Sequence, residues 1–453
     1  MTPEDIRLIV AAVAGIALSV SLIVRARFHP FIALLCGAFV VGIAAGLSIA
    51  DTAAAVQKGA GDILGGTGLV VALGLSLGAM LHLSDGAAAL ARAGLRLTSR
   101  RGAPWASLGI ALVVGLPLFF ETGLVLLLPI VAAAAAALPA RAYAGGRSDD
   151  AAKLGLMLPA LAGLSVVHAL VPPHPGPLLA VHALGADLGR TMLYGIVVAI
   201  PTAILAGPVL SRFTARGIVL APPVVEARPP VQAPPPNRAS LAVVLMPVVL
   251  IGLGQATPLL PAAAAAALGW LGFAANPVFA LLLTNLVALP LLFGRRIADA
   301  HVQGAIWVET MVPAGAILLS IGAGGALKQV LVTAGLSDLL AKAAAAGAVS
   351  PILLAWGVAV GIRLATGSAT VATITTAGIM AGVVAASGAS PEWTVLAIGA
   401  GSVFFSHVND PGFWLVKSYV GTSTTDTFRT WSVLETAVSV IGLVCVLAGS
   451  YLW

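Results

Sequence analysis

What most constrains this chain is a series of apolar runs that recurs along its length. They fall at residues 6–24, 31–49, 68–84, 104–120, 122–138, 154–181, 191–211, 241–256, 276–293, 305–323, 351–365, 369–386, 393–416 and 431–452. A helix needs about 20 apolar residues to cross the hydrocarbon core of a bilayer. Only helices and closed barrels satisfy every backbone polar group there. Composition agrees with the runs: 59% of residues are hydrophobic and 9% charged, against roughly a quarter charged in a soluble domain. Mean hydropathy is +1.06. These values exclude a water-soluble globular protein, a disordered chain and a secreted disulfide scaffold. The expected fold is an all-α polytopic membrane protein, with the lipid bilayer as its first partner.

The smaller counts narrow the function classes. Cys36 and Cys445 both lie in apolar runs, so neither a disulfide framework nor a thiolate metal site is supported. The net charge of +6 reads as cytoplasmic loop charge, and no nucleic-acid partner is expected. The flank of the first run, Pro3-Glu4-Asp5, is acidic where a secretory signal needs positive charge. Residues 6–24 are therefore expected to be a span.

Residues 221–236 read APPVVEARPPVQAPPP, a segment that cannot hold a helix and predicts an extended linker. It divides the chain into a first membrane repeat (1–212), a proline-rich linker (213–239) and a second membrane repeat (240–453). Short matches support the division. Leu75-Ser76-Leu77-Gly78 recurs as Leu319-Ser320-Ile321-Gly322, and Thr122-Gly123 as Thr366-Gly367, both at an offset of 244. His174-Pro175-Gly176 has a counterpart in Asp410-Pro411-Gly412.

Charge sets the expected orientation. With the N-terminus outside, and with 104–138 and 351–387 each entering and leaving by one side, 17 of the 23 Lys and Arg residues face the cytoplasm. The positive-inside rule prefers this arrangement to its mirror. The linker is then cytoplasmic and the halves run in opposite directions. That is an inverted-topology repeat, an architecture of secondary transporters. Residues 259–275 have no counterpart in the first half and are expected along the outer interface.

Ionisable groups deep in a bilayer cost roughly 2.5–3.5 kcal/mol on insertion scales, so the polar interruptions of the apolar runs are candidate functional positions. Phe119-Phe120-Glu121-Thr122-Gly123 interrupts a stretch that is short for two full spans. It predicts a re-entrant hairpin with Glu121 at its tip, the alternative being two short spans and a surface turn. Residues 168–177, His168-Ala-Leu-Val-Pro-Pro-His174-Pro-Gly176-Pro, hold four prolines in six residues and force a helix to break. Arg363 precedes Thr366-Gly367-Ser368-Ala369-Thr370 at the expected tip of a second hairpin. Its guanidinium matches a carboxylate, belonging either to a substrate or to a buried acid such as Glu121 or Asp410. Ser406-His407-Val408-Asn409-Asp410-Pro411-Gly412 predicts a second helix break, or a turn at the membrane edge. Glu309 and Glu435 lie close to the starts of their runs and are expected at the interface, outside the site.

No phosphate-binding GxxxxGK[ST], His-Glu-x-x-His or GxSxG is present. The chain is therefore not expected to be an enzyme or an ATP-driven pump. The histidines with Asp410 could compose a metal site by residue type alone; no metal and no cofactor are expected.

The segments HALVPPHPGP (168–177), AIPTAILAGPV (199–209), GAGGALKQVLVTAG (322–335), ATGSATVATIT (365–375) and GSVFFSHVNDPGFWLVKSY (401–419) resemble the gluconate:proton symporter (GntP) family of gluconate permeases, across essentially the whole chain. FFETGLVLLLP (119–129) resembles a family segment that carries a small apolar residue where Thr122 stands. The resemblance implies proton-coupled uptake of gluconate, a related sugar acid or another small hydroxylated carboxylate across a bacterial-type inner membrane. It also implies two inverted repeats, each with a hairpin and a broken helix meeting at the substrate, and a homodimer moving as an elevator.

A polyhydroxylated monoanion needs a cation or a helix dipole end for its carboxylate and many small polar partners. The expected substrate-binding residues are Glu121, Thr122, Gly123, His168, His174, Gly176, Arg363, Thr366, Gly367, Ser368, Thr370, Ser406, His407, Asn409 and Asp410. The proton, the coupling ion, would be carried by Glu121, Asp410, His174 or His407. The rivals are a different secondary transporter, such as a cation/proton antiporter, and a membrane-embedded hydrolase or metalloenzyme.

Overall fold

The computed structural model describes residues 2–96, 102–136, 149–221, 234–256, 273–274, 276–336, 339, 350–407 and 410–452. Among these the regular structure is helical throughout, without a strand. The expectation for 259–275 falls almost entirely outside the described residues, as do Asn409 and the centre of the 213–239 linker.

The first half begins with α1 (Pro3–Val24), α2 (Pro30–Ala45) and the long α3 (Ile49–Leu83), followed by α4 (Gly86–Arg96). Next come α5 (Ala103–Gly115) and α6 (Phe120–Ala136), joined by a turn at 116–119. The run at 154–181 forms α7 (Asp149–Leu170) and α8 (Pro175–Leu184), separated at 171–174, where the prolines withhold donors as expected. Helix α9 (Leu188–Ile204) continues through a π-turn at Leu205–Val209.

The second half runs through α10 (Asn237–Ala256), α11 (Pro277–Phe293) and the long α12 (Ala300–Thr333). A helix–turn–helix pair follows, α13 (Pro351–Thr366) and α14 (Ala369–Ser387). The run at 393–416 is then split into α15 (Pro391–Ser402) and α16 (Pro411–Val420). A π-turn at Phe428–Ser432 leads into the last helix, α17 (Val433–Leu452).

Seven of the described helices are long and apolar enough to cross a membrane, or up to eight if the bent α3 counts as one span. Helix α5, with 13 residues, extends only about 20 Å at 1.5 Å per residue and falls short of a bilayer core. Burial sorts the rest. The α7–α8 pair is buried almost all round and sits at the centre. Ile6, Val10, Val13, Trp307, Val308 and Val312 on α1 and α12 point apolar side chains outward, as lipid-facing helices do.

The two long helices α3 and α12 make the most extensive helix–helix contact in the molecule. They close to backbone distance where a Cβ on Gly59 would lie 2.2 Å from the Gly325 carbonyl oxygen and one on Gly325 would lie 2.5 Å from that of Gly59. Small residues permit such a crossing. With α1 and α2 these helices share a small core through Ala55 and Ala323 to Leu331, while Ile63 to Leu81 of α3 and Val302 to Ile321 of α12 belong to the larger core that also takes in both helix–turn–helix pairs and both broken helices. Helices α8 and α14 pack the second group against the first.

Candidate functional site

Three helix starts and the break between α15 and α16 meet around a cavity of about 540 Å³. Phe120 and Glu121 line it from the start of α6, Ser368 to Thr370 from the start of α14, and Pro411 and Gly412 from the start of α16. The first turn of a helix exposes unpaired N–H groups and carries the positive end of the dipole. Three such ends directed at one space form an environment for an anion. Ser165 and His168 of α7, Trp431 of the π-turn and Glu435 of α17 complete the inner wall. Ile23, Arg27 and Pro30, from the α1–α2 connection, line the same cavity.

The sequence left Arg363 with two possible partners, and the structure supplies one of them. Its Nη2 donates to Asp410 Oδ2, and its Nη1 folds back to the carbonyl of Gly367 at the end of its own helix. Gly367 sits at φ +70°, a left-handed geometry that glycine adopts at helix ends without strain. Its N–H in turn donates to the Arg363 carbonyl at 2.9 Å. Arg363 is thus a cation at the negative end of α13, paired across the break with the acid that caps α16.

Asp410 is correspondingly crowded. It accepts from Arg363, from Ser406 Oγ and, at 2.7 Å, from the backbone N–H of Gly412. Trp431 Nε1 donates to Ser406 Oγ at 2.7 Å, and Ser432 Oγ donates to the Ser406 carbonyl. Trp431 also stacks on Phe120, with ring centroids 5.3 Å apart. One continuous network therefore ties together the start of α6, the second break, the end of α13 and the π-turn before α17. A π-turn adds a residue to a helical turn and often marks a functional position; here it directs both Trp431 and Ser432 at Ser406.

The expected site residues divide by location. Glu121, His168, Arg363, Thr366, Gly367, Ser368, Thr370 and Asp410 line the cavity, and Ser406 stands directly behind Asp410. Ser368 is the N-cap of α14, its Oγ accepting from the Val371 N–H at 3.3 Å. Glu121 also borders a second cavity of about 620 Å³, which Thr122 and Glu309 line; Glu309 Oε1 lies 3.0 Å from Nδ1 of His82.

Other expected residues face elsewhere. His174 is buried outside the main cavity, its Nε2 donating at 2.8 Å to the Gly115 carbonyl at the end of α5. Gly176 faces Thr373, and Gly123 packs against Leu164. His407 donates from Nε2 to the Leu364 carbonyl at 3.1 Å.

The expectation that Glu435 is interfacial is corrected. It is 2% exposed and lines the cavity. The helical path reaches back past the apolar run to Thr424, which places Glu435 about three turns in. Its spacing from Trp431, four residues and so one helical face, was the available signal. Among the described residues no group of three or more His, Cys, Asp or Glu side chains is arranged to hold a metal.

Comparison with known proteins gives a consistent answer. The model of the GntP family permease matches residues 6–452. The chain is 41% identical to a gluconate permease of Pseudomonas aeruginosa over 98% of each chain. It is 38% identical to a high-affinity gluconate transporter of Escherichia coli, covering 96% of this chain and 98% of that one. With the Gnt-II system L-idonate transporter of Escherichia coli it shares 37% identity over 96% of this chain and 97% of the other. Among solved structures, the YdaH transporter of Alcanivorax borkumensis superposes with a TM-score of 0.64 at 17% identity, over 94% of this chain and 98% of that one; this likeness concerns the fold alone.

Proposed function

The chain belongs to the GntP permease family, as a multi-pass membrane transporter rather than an enzyme, and on that premise we propose that it takes up gluconate or a closely related sugar acid, driven by protons, across the inner membrane. The observation that carries the reading is the cavity where the starts of α6, α14 and α16 converge. Three dipole ends attract a carboxylate while Arg363 is committed to Asp410, and Arg27 adds a cation to the cavity lining. The gluconate and L-idonate named for the relatives are monoanions rich in hydroxyls. Small polar groups such as Ser368, Thr370 and Thr366 on the cavity wall suit such a ligand.

Coupling falls to Glu121 in this reading. Among the described residues Glu121 forms no ion pair, and it opens onto both cavities. Asp410 already accepts from three donors, one of them the Arg363 guanidinium. His174 and His407 are engaged with backbone carbonyls. A carboxyl with access from two spaces can exchange a proton while its neighbours stay fixed.

The movement proposed is an elevator, in which the group holding both helix–turn–helix pairs and both broken helices slides against α3 and α12. The short α5 supports a re-entrant topology, and the same proposal has inverted halves, the N-terminus outside, the 213–239 linker in the cytoplasm and the transporter acting as a homodimer. The test is uptake of labelled gluconate into proteoliposomes of the purified protein, with and without an inward proton gradient. Accumulation above equilibrium only with the gradient supports the reading. Uptake that ignores the gradient, or follows sodium instead, rejects the coupling.

A further inference from the structure

Among the described residues, seven buried side-chain polar atoms have no hydrogen-bond partner. Four of them, Ser165 Oγ, His168 Nδ1, Arg363 Nε and Glu435 Oε1, belong to residues that line the one cavity described above. A buried polar atom left unsatisfied is costly, so four of them lining one cavity mark a surface built to be completed by something else. Water can fill it at rest; a ligand with matched polarity replaces that water.

The chemistry of these atoms is directional. Glu435 is 2% exposed and, as a carboxylate, offers only acceptors. Ser165 lies close enough to interact with the Glu435 carboxyl, while Ser165 Oγ and Glu435 Oε1 both fall short of full hydrogen-bond geometry. A hydroxyl both donates and accepts, and so does the Ser165 hydroxyl; neutral His168 Nδ1 does one or the other according to its tautomer. The cavity thus has two chemically different ends. The starts of α14 and α16 and Arg363 Nε offer donors and positive potential. The wall from α7 and α17 offers the Glu435 carboxyl, the Ser165 hydroxyl and His168 Nδ1.

We infer that Glu435, with Ser165 and His168, forms a hydroxyl-reading subsite that binds the polyol tail of the substrate and fixes its orientation, carboxylate toward the helix starts and hydroxyls toward α17. The subsite rests on the sugar-acid reading above and adds to it a specificity determinant. A carboxylate that accepts from a substrate hydroxyl discriminates strongly, because an analogue lacking that hydroxyl leaves a buried acceptor unpaired. A short carboxylic acid could occupy the donor end and still leave this wall incomplete.

The test pairs protein variants with ligand analogues. Gluconate and a series of singly deoxygenated gluconates compete with labelled gluconate for purified wild type, Glu435→Gln and Ser165→Ala in detergent. At least one analogue deoxygenated away from the carboxylate should bind wild type tenfold or more weakly. Glu435→Gln should lose tenfold or more in gluconate affinity and show little further loss with that same analogue. Ser165→Ala, which changes no charge and removes one oxygen, should show the same convergence at smaller amplitude, and it decides the matter if Glu435→Gln does not fold. Two results overturn the subsite: unchanged gluconate affinity in folded variants, or losses that simply add between variant and analogue. A change in the pH dependence of uptake with sugar-acid discrimination intact also overturns it, and makes Glu435 a proton site. Failure of wild type to bind any sugar acid would instead sink the functional reading, and this subsite with it.

Discussion

Removing either member of the Arg363–Asp410 pair should damage the fold before it damages chemistry. Arg363 is 4% and Asp410 8% exposed. Breaking a buried pair by deleting one partner costs about 3–5 kcal/mol, since the other charge stays buried without compensation. In Arg363→Gln, Asp410 keeps the Ser406 hydroxyl and the Gly412 N–H, which places the loss near the lower end, at about 3 kcal/mol. The glutamine can also retain a contact to Gly367, so the helix end itself loses little. In Asp410→Asn the cap on α16 survives through the amide oxygen, and the loss is the charge partner of Arg363. The double variant Arg363→Gln/Asp410→Asn removes both charges and should recover part of the stability, giving a coupling of about 2 kcal/mol, within the range for residues in direct contact. Thermal midpoints in detergent, read beside the yield of monodisperse protein, measure this cycle. Well-folded Arg363→Gln protein with a wild-type midpoint and no gluconate binding would refute the argument and return Arg363 to the substrate carboxylate. Additive losses would show that the contact carries no energy.

Other consequences can be checked separately. Glu121→Gln should abolish gradient-driven accumulation of gluconate while preserving exchange of labelled for unlabelled substrate; unaltered pH dependence of uptake would move the coupling site elsewhere. In a background without Cys36 and Cys445, a cysteine at position 230 should resist an impermeant thiol reagent added outside intact cells, and labelling there would contradict the proposed orientation. Gly59→Val should lower the thermal midpoint, since its Cβ falls 2.2 Å from the Gly325 carbonyl oxygen and overpacking costs about 1–3 kcal/mol; a neutral result would mean that α3 and α12 separate freely.

The sequence reveals helices and their interruptions well, because both follow from local chemistry. Apolar runs become helices, and the Pro172-Pro173 pair and the Asp410-Pro411 step mark where two of them break, whereas single prolines such as Pro159 and Pro313 stay inside their helices. Gly367 likewise marks the end of α13 in advance. Partnerships are not local. Arg363 and Asp410 lie 47 residues apart, and nothing in either segment decides whether the arginine meets a protein acid or a ligand. His168 and His174 look equivalent on either side of the proline break, but the chain turns one to the cavity and the other to the Gly115 carbonyl. Glu435 escapes for a third reason. Hydropathy locates the start of an apolar run, whereas depth depends on where the helix starts, and the polar turn at Thr424–Thr427 adds length that hydropathy ignores.

The most direct test is a gluconate-bound structure of the wild-type protein in lipid. The carboxylate should lie against the backbone N–H groups at the starts of α14 and α16, with the hydroxyl chain extending toward Glu435 and Ser165. Gluconate seated in the second cavity beside Glu309, or bound with its carboxylate on Arg363 and the Arg363–Asp410 pair open, would contradict this placement.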